Sequence, residues 1–472
     1  MLLSNKLTSV LATLTPIEMN QLSDWVHSPY HNKNLDTINL FKILKKSYPE
    51  FNISKEDVYK KLYSGKEYDD LKLRHIMSNL LKIVEDYMIY KKINENEFQI
   101  DITLLAIYNE KQLEVYYNNL KEKMLKDQAK TPFRGIRYYL EQYQLESEIS
   151  KNIERQKNRS IEPNFQELSD NLDIYYIINK LKLYCAVNNY RNIVDKEYNI
   201  GLMEDILKHI DYNKYGHIPI INIYRNALLT LVDFENESHF NTLYQLLIDN
   251  IDSFPSEEAV DMFVLAKNYC IKKVNNGHDK FYSIIFNLYK LEIEKNIMNV
   301  NEYISPFSYK NIISVALQLK EFEWTNNFIN EFTSKLAPQF RDNMFSFNSA
   351  KYCFATKQYK QVIKLLATVE YDEMFLYLDS KVILLKTFYE LKDFDPLYSL
   401  VDSFRMYLKR KKTLSYHSQL YLNFIKILKK VTKIDPGDIK RIEEQIEEIN
   451  AIGKFVGKDW LLEKLEELRH FD

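Results

Sequence analysis

The sequence predicts an all-α protein. Three observations carry the prediction: glycine and proline are scarce, apolar residues recur at spacings of three and four, and an aromatic after a short polar turn returns at intervals of 35 to 41 residues from Phe240 onward. The 472 residues include 8 Gly and 11 Pro, where average usage would give roughly 33 and roughly 24. Sheet-rich and dinucleotide-binding folds spend glycine on tight turns and phosphate approaches, so both classes are disfavoured. A hydrophobic fraction of 46%, with 36 Tyr and 26 Phe, is enough to build a core and excludes wholesale disorder.

Charge and cysteine usage narrow the setting. Sixty-four basic and 66 acidic side chains leave −2, so the molecule as a whole carries no polyanion-binding bias. Cys185, Cys270 and Cys353 lie far apart among apolar neighbours. They are expected to be buried free thiols, which fits a reducing compartment. No export signal is recognised, because Leu7 to Leu14 run straight into Thr15-Pro16-Ile17-Glu18, an N-cap, an N1 proline and an N3 carboxylate. No run of 18 apolar residues exists. No membrane span is expected, and a cytoplasmic location is.

Taken in order, residues 1–100 read as a small N-terminal helical domain. The helix capped by Thr15 is followed by a turn-rich break at Ser28 to Asn34. Helical patterns follow from Leu40 to Lys46 and after Ser54, with Ser64-Gly65 as a stop. Leu73, Ile76, Met77, Leu80, Leu81, Val84, Tyr87 and Met88 then form an amphipathic stripe opposite Lys72, Arg74, Ser78, Asn79, Lys82 and Glu85. Residues 101–170 read as long charged helices closed by a linker at Asn158 to Asn164.

Residues 171–430 carry the repeat. Two-helix units align on Asn189-Tyr190, His239-Phe240, Lys280-Phe281, Glu321-Phe322, Gln358-Tyr359 and Asp393-Phe394. The last four intervals are 41, 41, 37 and 35 residues, and the first is 50, a period typical of stacked helical hairpins. Residues 431–472 close the chain with the turn Asp435-Pro436-Gly437-Asp438, a break at Gly453 and Gly457, and a final amphipathic helix through Trp460, Leu461, Leu465 and Leu468. A terminal helix of this kind covers the end of a stack.

The stretches Ala355 to Ile363 and Glu390 to Tyr398 resemble tetratricopeptide-type (TPR) repeats. That family packs small residues in mid-helix. Ala350 fits, whereas Leu181, Ile193, Val362, Leu385 and Leu397 stand at the other equivalent places. The resemblance implies a TPR-like α-solenoid over 171–430, and ligands that are peptides or protein surfaces held in a concave groove.

Motifs for chemistry are missing. There is no phosphate-binding glycine loop and no nucleophile elbow. His27 and His31 are split by Pro29, so they read as a turn. His209 and His217 bracket a polar loop with Asp211 and Gly216. Glu443, Glu444, Glu447 and Glu448 read as a solvated helix face. The expectation is therefore a protein that is not an enzyme and holds no cofactor or metal: a scaffold or adaptor whose partner is a protein or peptide.

Two basic segments are candidate sites. Arg405, Lys409, Arg410, Lys411 and Lys412 end a repeat helix, where cations favour the macrodipole, and offer a docking patch for an acidic partner. Residues 54–92 also resemble the latter half of a winged-helix DNA-binding domain. In some bacterial transcriptional regulators such a domain precedes TPR repeats. In that alternative Lys72, Arg74, Ser78, Asn79 and Lys82 would face the groove. The segment holds 9 Lys/Arg against 7 Asp/Glu and lacks a strand–Gly–strand wing, so nucleic acid is the less expected partner.

Overall fold

A computed structural model describes residues 5–157, 162–191, 198–212, 215–299, 303–369, 374–410, 415–453 and 455–470. Among them the secondary structure is helical, with no β-strand and only isolated bridges such as Ile304 with Leu336. The chain divides into two compact units, Met1–Asn179 and Lys180–Asp472.

The first unit contains α1 (Lys6–Leu11), α2 (Pro16–His27), α3 (Leu35–Lys45), α4 (Lys55–Leu62), α5 (Asp70–Asn94), α6 (Glu97–Glu110), α7 (Glu114–Ala129) and α8 (Ile136–Gln156). Helices α1 to α6 start where short polar side chains accept the orphan backbone N–H groups. Thr15 and Glu18 form a capping box on α2, and Asn34, Ser54, Asp69 and Asn96 cap α3 to α6. Leu11, Leu22, Val26, Leu40, Leu44, Val58, Leu73, Leu80 and Val84 are fully enclosed between α1 and α5, each worth about 1.5–3 kcal/mol of burial. The expected stripe on α5 is buried except at Leu81, which is half-buried, and at its end, where Met88 is 39% exposed.

Between α6, α7 and α8 the small apolar cluster of Leu105, Tyr117, Met124 and Leu145 is completed by polar groups. Buried Asn109 donates to Glu148 at 3.2 Å and accepts from Asn152 at 2.9 Å and Arg155 at 2.7 Å. Buried polar groups persist only when paired, and here each partner comes from a facing helix. The linker expected at Asn158 to Asn164 falls mostly outside the described residues. Asn164 lies within them and donates to the Glu146 carbonyl at 3.0 Å.

The unit division falls inside α9 (Phe165–Arg191), as does the boundary expected at 170. The second unit continues with α10 (Met203–Tyr212), α11 (Pro219–Val232), α12 (Glu237–Asn250), α13 (Ser256–Asn275), α14 (Lys280–Glu294), α15 (Pro306–Gln318) and α16 (Phe322–Phe332). It ends with α17 (Pro338–Ala355), α18 (Tyr359–Leu366), α19 (Met374–Glu390), α20 (Phe394–Arg410), α21 (Ser415–Val431), α22 (Ile439–Ile452) and α23 (Lys458–Arg469). Each short turn reverses the chain, so α11 packs on α12, α13 on α14, α15 on α16, α17 on α18 and α19 on α20. Helices two apart also touch: α11 with α13, α15 with α17, α17 with α19.

One turn recurs. Lys320, Lys357 and Lys392 have φ of 59°, 60° and 55°. In each case the next N–H donates to the carbonyl five residues back: Glu321 to Ala316 at 3.0 Å, Gln358 to Cys353 at 2.7 Å, Asp393 to Phe388 at 2.9 Å. This is the Schellman closure that usually uses glycine. Gly277 does so with His278 to Lys273 at 3.1 Å, and Gln112 repeats it in the first unit with Leu113 to Tyr108 at 2.9 Å. The glycine shortage is thus met by lysine and glutamine held in the left-handed region.

The aromatics that mark these turns follow the same logic. Phe322, Tyr359 and Phe394 are the first residues of α16, α18 and α20. Phe240 and Phe281, near the starts of α12 and α14, both pack against Tyr269 of α13, with ring centroids 4.7 and 5.8 Å away. Tyr190 departs from the series. It lies in the last turn of α9 and is half exposed, because α9 runs on through the place where a turn was expected. Leu181, Ala350, Val362, Leu385 and Leu397 are buried as expected, and Ile193 is outside the described residues. Cys185, Cys270 and Cys353 are free and buried. Burial pushes the Cys185 thiol up to about 12. Gly453 and Gly457, at φ 81° and 75°, separate α22 from α23.

Candidate functional site

Helices α20 and α21 run antiparallel. Tyr398 near the start of α20 donates to Thr432 just past α21 at 3.1 Å, and Lys429 approaches Asp402 at 3.5 Å. Their buried faces, Val401, Phe404 and Leu408 on α20 with Phe424, Ile425 and Leu428 on α21, lock the pair. Side chains at spacings of three and four are left along the seam. Arg405 and Lys409 line one side; Lys426, Lys429 and Lys430 line the other, with Lys433 beyond the helix end. Together with Val401, Leu422 and Ile425 they bound a groove of about 460 Å³ into which no carboxylate projects as lining.

The cations are unequally neutralised. Glu448 of α22 accepts from Lys426 at 2.8 Å and Lys430 at 2.6 Å. Those two bonds, Lys426 first, hold its carboxyl down at about 2. Arg405, Lys409 and Lys433 have no ion pair among the described residues. A groove with a partly apolar floor and uncompensated cations on its rims suits a ligand that brings its own carboxylates.

Of the expected docking patch, Arg405 and Lys409 therefore sit in the groove. Arg410 is exposed at the end of α20 and is not part of the lining. Lys411 and Lys412 lie outside the described residues. The four cations at 426, 429, 430 and 433 were missed in the sequence, where their spacings of three and four were the available signal, and only the fold sets them opposite Arg405. The acidic run on α22 needs one correction. Glu443, Glu444 and Glu447 are exposed, whereas Glu448 turns toward α21.

The layer formed by α15, α17, α19 and α21 carries a second polar cluster. Lys310 of α15 reaches past α17 to Asp379 of α19 at 2.9 Å, and Tyr421 of α21 donates to the other Asp379 oxygen at 3.0 Å. Lys351 of α17 donates instead to the Ser314 hydroxyl. Burial pushes the Lys351 amine down to about 8; Asp379 opposes that shift and Lys310 adds to it. A comparable pair, Lys182 of α9 with Asp261 of α13 at 2.5 Å, spans α11. In these clusters Lys310 and Lys182 meet the chain's own carboxylates, whereas in the α20–α21 groove Arg405, Lys409 and Lys433 have no ion pair among the described residues.

On α5, the residues of the nucleic-acid alternative are dispersed in role. The Lys72 ammonium sits 3.8 Å from the Tyr63 ring centroid, and Arg74 pairs with Asp70 at 2.5 Å. Ser78 and Lys82 are exposed and Asn79 is half-buried. No wing follows, since α5 leads directly into α6.

The histidines have other work. A His27 ring nitrogen lies 2.6 Å from the Ser23 carbonyl oxygen, and His31 stacks on Trp25 with centroids 3.5 Å apart. Asp211 pairs with Arg225 at 2.6 Å. Among the described residues no group of three or more His, Cys, Asp or Glu is placed to hold a metal, and no helix is long and apolar enough to cross a membrane. No protein-family model, curated protein or solved structure matches the chain.

Proposed function

We propose that this protein is a non-catalytic scaffold or adaptor that binds a partner protein or peptide on a TPR-like stack of helical hairpins, in a reducing cytoplasmic setting. The observation that carries the reading is the recurrence of one hairpin turn, at Gly277, Lys320, Lys357 and Lys392, with packing between helices two apart. Such repetition yields extended side-chain surfaces in place of an enclosed cleft, a form suited to binding other polypeptides. The face over α17, already bridged by the chain's own charges, favours the α20–α21 groove as the contact surface.

The test uses the full chain as bait in native lysate, with chemical crosslinks mapped by mass spectrometry and a mobility shift on pooled genomic fragments run in parallel. Partner crosslinks concentrated on α11 to α21 without nucleic acid are expected. Salt-sensitive DNA retention that is lost in Lys72→Glu/Arg74→Glu would reverse the proposal in favour of a DNA-binding regulator.

A further inference from the structure

We infer that the α20–α21 groove is a docking site for an acidic amphipathic helix of a partner protein, read by Arg405, Lys409 and Lys433. The inference rests on the protein-binding reading above and names the chemistry of one site within it.

Charge complementarity argues for the occupant. Lys426 and Lys430 already hold a carboxylate from an adjacent helix, that of Glu448, at 2.8 and 2.6 Å. Three further cations, two on α20 and one past α21, have no ion pair among the described residues. Arg405 and Lys409 stand four residues apart on α20, about 6 Å along the axis, the rise that separates carboxylates at i and i+4 of a helix. From Gln419 to Lys433 the α21 side of the groove runs about 20 Å, room for close to four turns.

Shape argues for a helix over an extended strand. The floor is the seam between two antiparallel helices, with Leu422 half-buried beside the enclosed Val401 and Ile425. A third helix seats in such a seam at 8–10 Å from each axis by packing its ridge into the shared valley. Lysine and arginine stems on the rims add apolar contact while their heads stay in water. Nucleic acid fits less well, because a phosphate backbone brings no apolar face to set against Leu422 on the floor.

The experiment is fluorescence anisotropy on the full chain with a labelled 16-residue probe carrying Glu at i and i+4 positions and Leu on the opposite flank. A probe of identical composition with two central Pro substitutions and a DNA duplex of equal charge complete the set. The helical probe is expected to bind. Affinity should fall at least tenfold in Arg405→Glu/Lys409→Glu and severalfold from 50 to 200 mM salt, as screening predicts. It should be unchanged in Lys72→Glu/Arg74→Glu. Circular dichroism checks that each variant stays helical, and Lys433→Glu supplies an independent substitution beyond the helix end. Absence of binding, equal affinity for the proline-broken probe, tighter binding of the duplex, or indifference to both groove variants would each overturn the inference. Partner crosslinks elsewhere on the stack would meanwhile leave the scaffold reading standing.

Discussion

Replacing Lys351 by Met should stabilise the second unit at neutral pH, an outcome opposite to the usual effect of a buried substitution. The Lys351 ammonium faces Lys310 and Ser314 from α15 and Asp379 from α19, and Asp379 is already shared with Lys310 and Tyr421. Its amine is lowered from 10.5 to about 8, a difference equivalent to about 3 kcal/mol against the charged form. Lys351 is half-buried by solvent exposure, and screening reduces the effect to about 2 kcal/mol. Methionine keeps the unbranched stem and removes the charge. Between pH 8 and 10.5 the folded lysine has lost its proton while the unfolded one keeps it, so wild-type stability rises with pH across that window. The advantage of Lys351→Met should therefore be greatest at pH 7 and fade toward pH 10. Taking the difference between variants cancels the similar contribution of Lys386 and the ionisation of unfolded tyrosines. Urea unfolding followed by Trp324 and Trp460 fluorescence would show a midpoint about 0.7 M higher at pH 7, for a slope near 3 kcal/mol/M. A destabilised variant whose deficit is independent of pH would refute the reasoning, since it would mean that the ammonium is fully compensated.

Other outcomes follow from the turns and the C-terminal helices. Lys320→Gly, Lys357→Gly and Lys392→Gly should each stabilise by about 0.5 kcal/mol, the left-handed strain of 1–2 kcal/mol less the extra freedom of unfolded glycine; hydrogen exchange at the Glu321, Gln358 and Asp393 amides should slow, whereas valine at the same sites should accelerate it. Glu448→Gln should lose about 1 kcal/mol at pH 7. In the wild type the carboxylate contributes above pH 4.5, and that contribution is lost as pH falls toward 2, so acid titrations of the two proteins should converge there. Gly457→Ala adds a methyl 2.9 Å from the Phe424 ring at φ 75°; a cost of about 2 kcal/mol or more should appear as loss of α23 protection in limited proteolysis.

Local signals were readable where one residue's chemistry decides the structure. Thr15 with Glu18, and Ser54, began helices through their side chains, and the glycines at 453 and 457 broke one by taking positive φ. The turns at Phe322, Tyr359 and Phe394 were legible because a short polar turn followed by an aromatic recurs there at intervals of 37 and 35 residues. Tyr190 misled because nothing near it says whether α9 stops or continues; that depends on what α9 packs against. Glu448 looked like solvated surface and the Lys426–Lys433 stripe went unread, since their pairing is set by helices distant in sequence. Asn109, Glu148 and Asn152 had no signal at all, because a buried polar network is invisible until its helices face one another.

The Lys310–Asp379 pair, spanning α17, bears on how the molecule comes apart. In an array held only by neighbours, a hairpin can detach from the end inward at the cost of one interface, and opening proceeds stepwise. A bond that skips a helix changes that arithmetic. Releasing α17 and α18 also strands Lys310 and Asp379, and Tyr421 binds α21 into the same event. The helices from α15 to α21 should then exchange their amides as one cooperative block, and fraying should begin outside it.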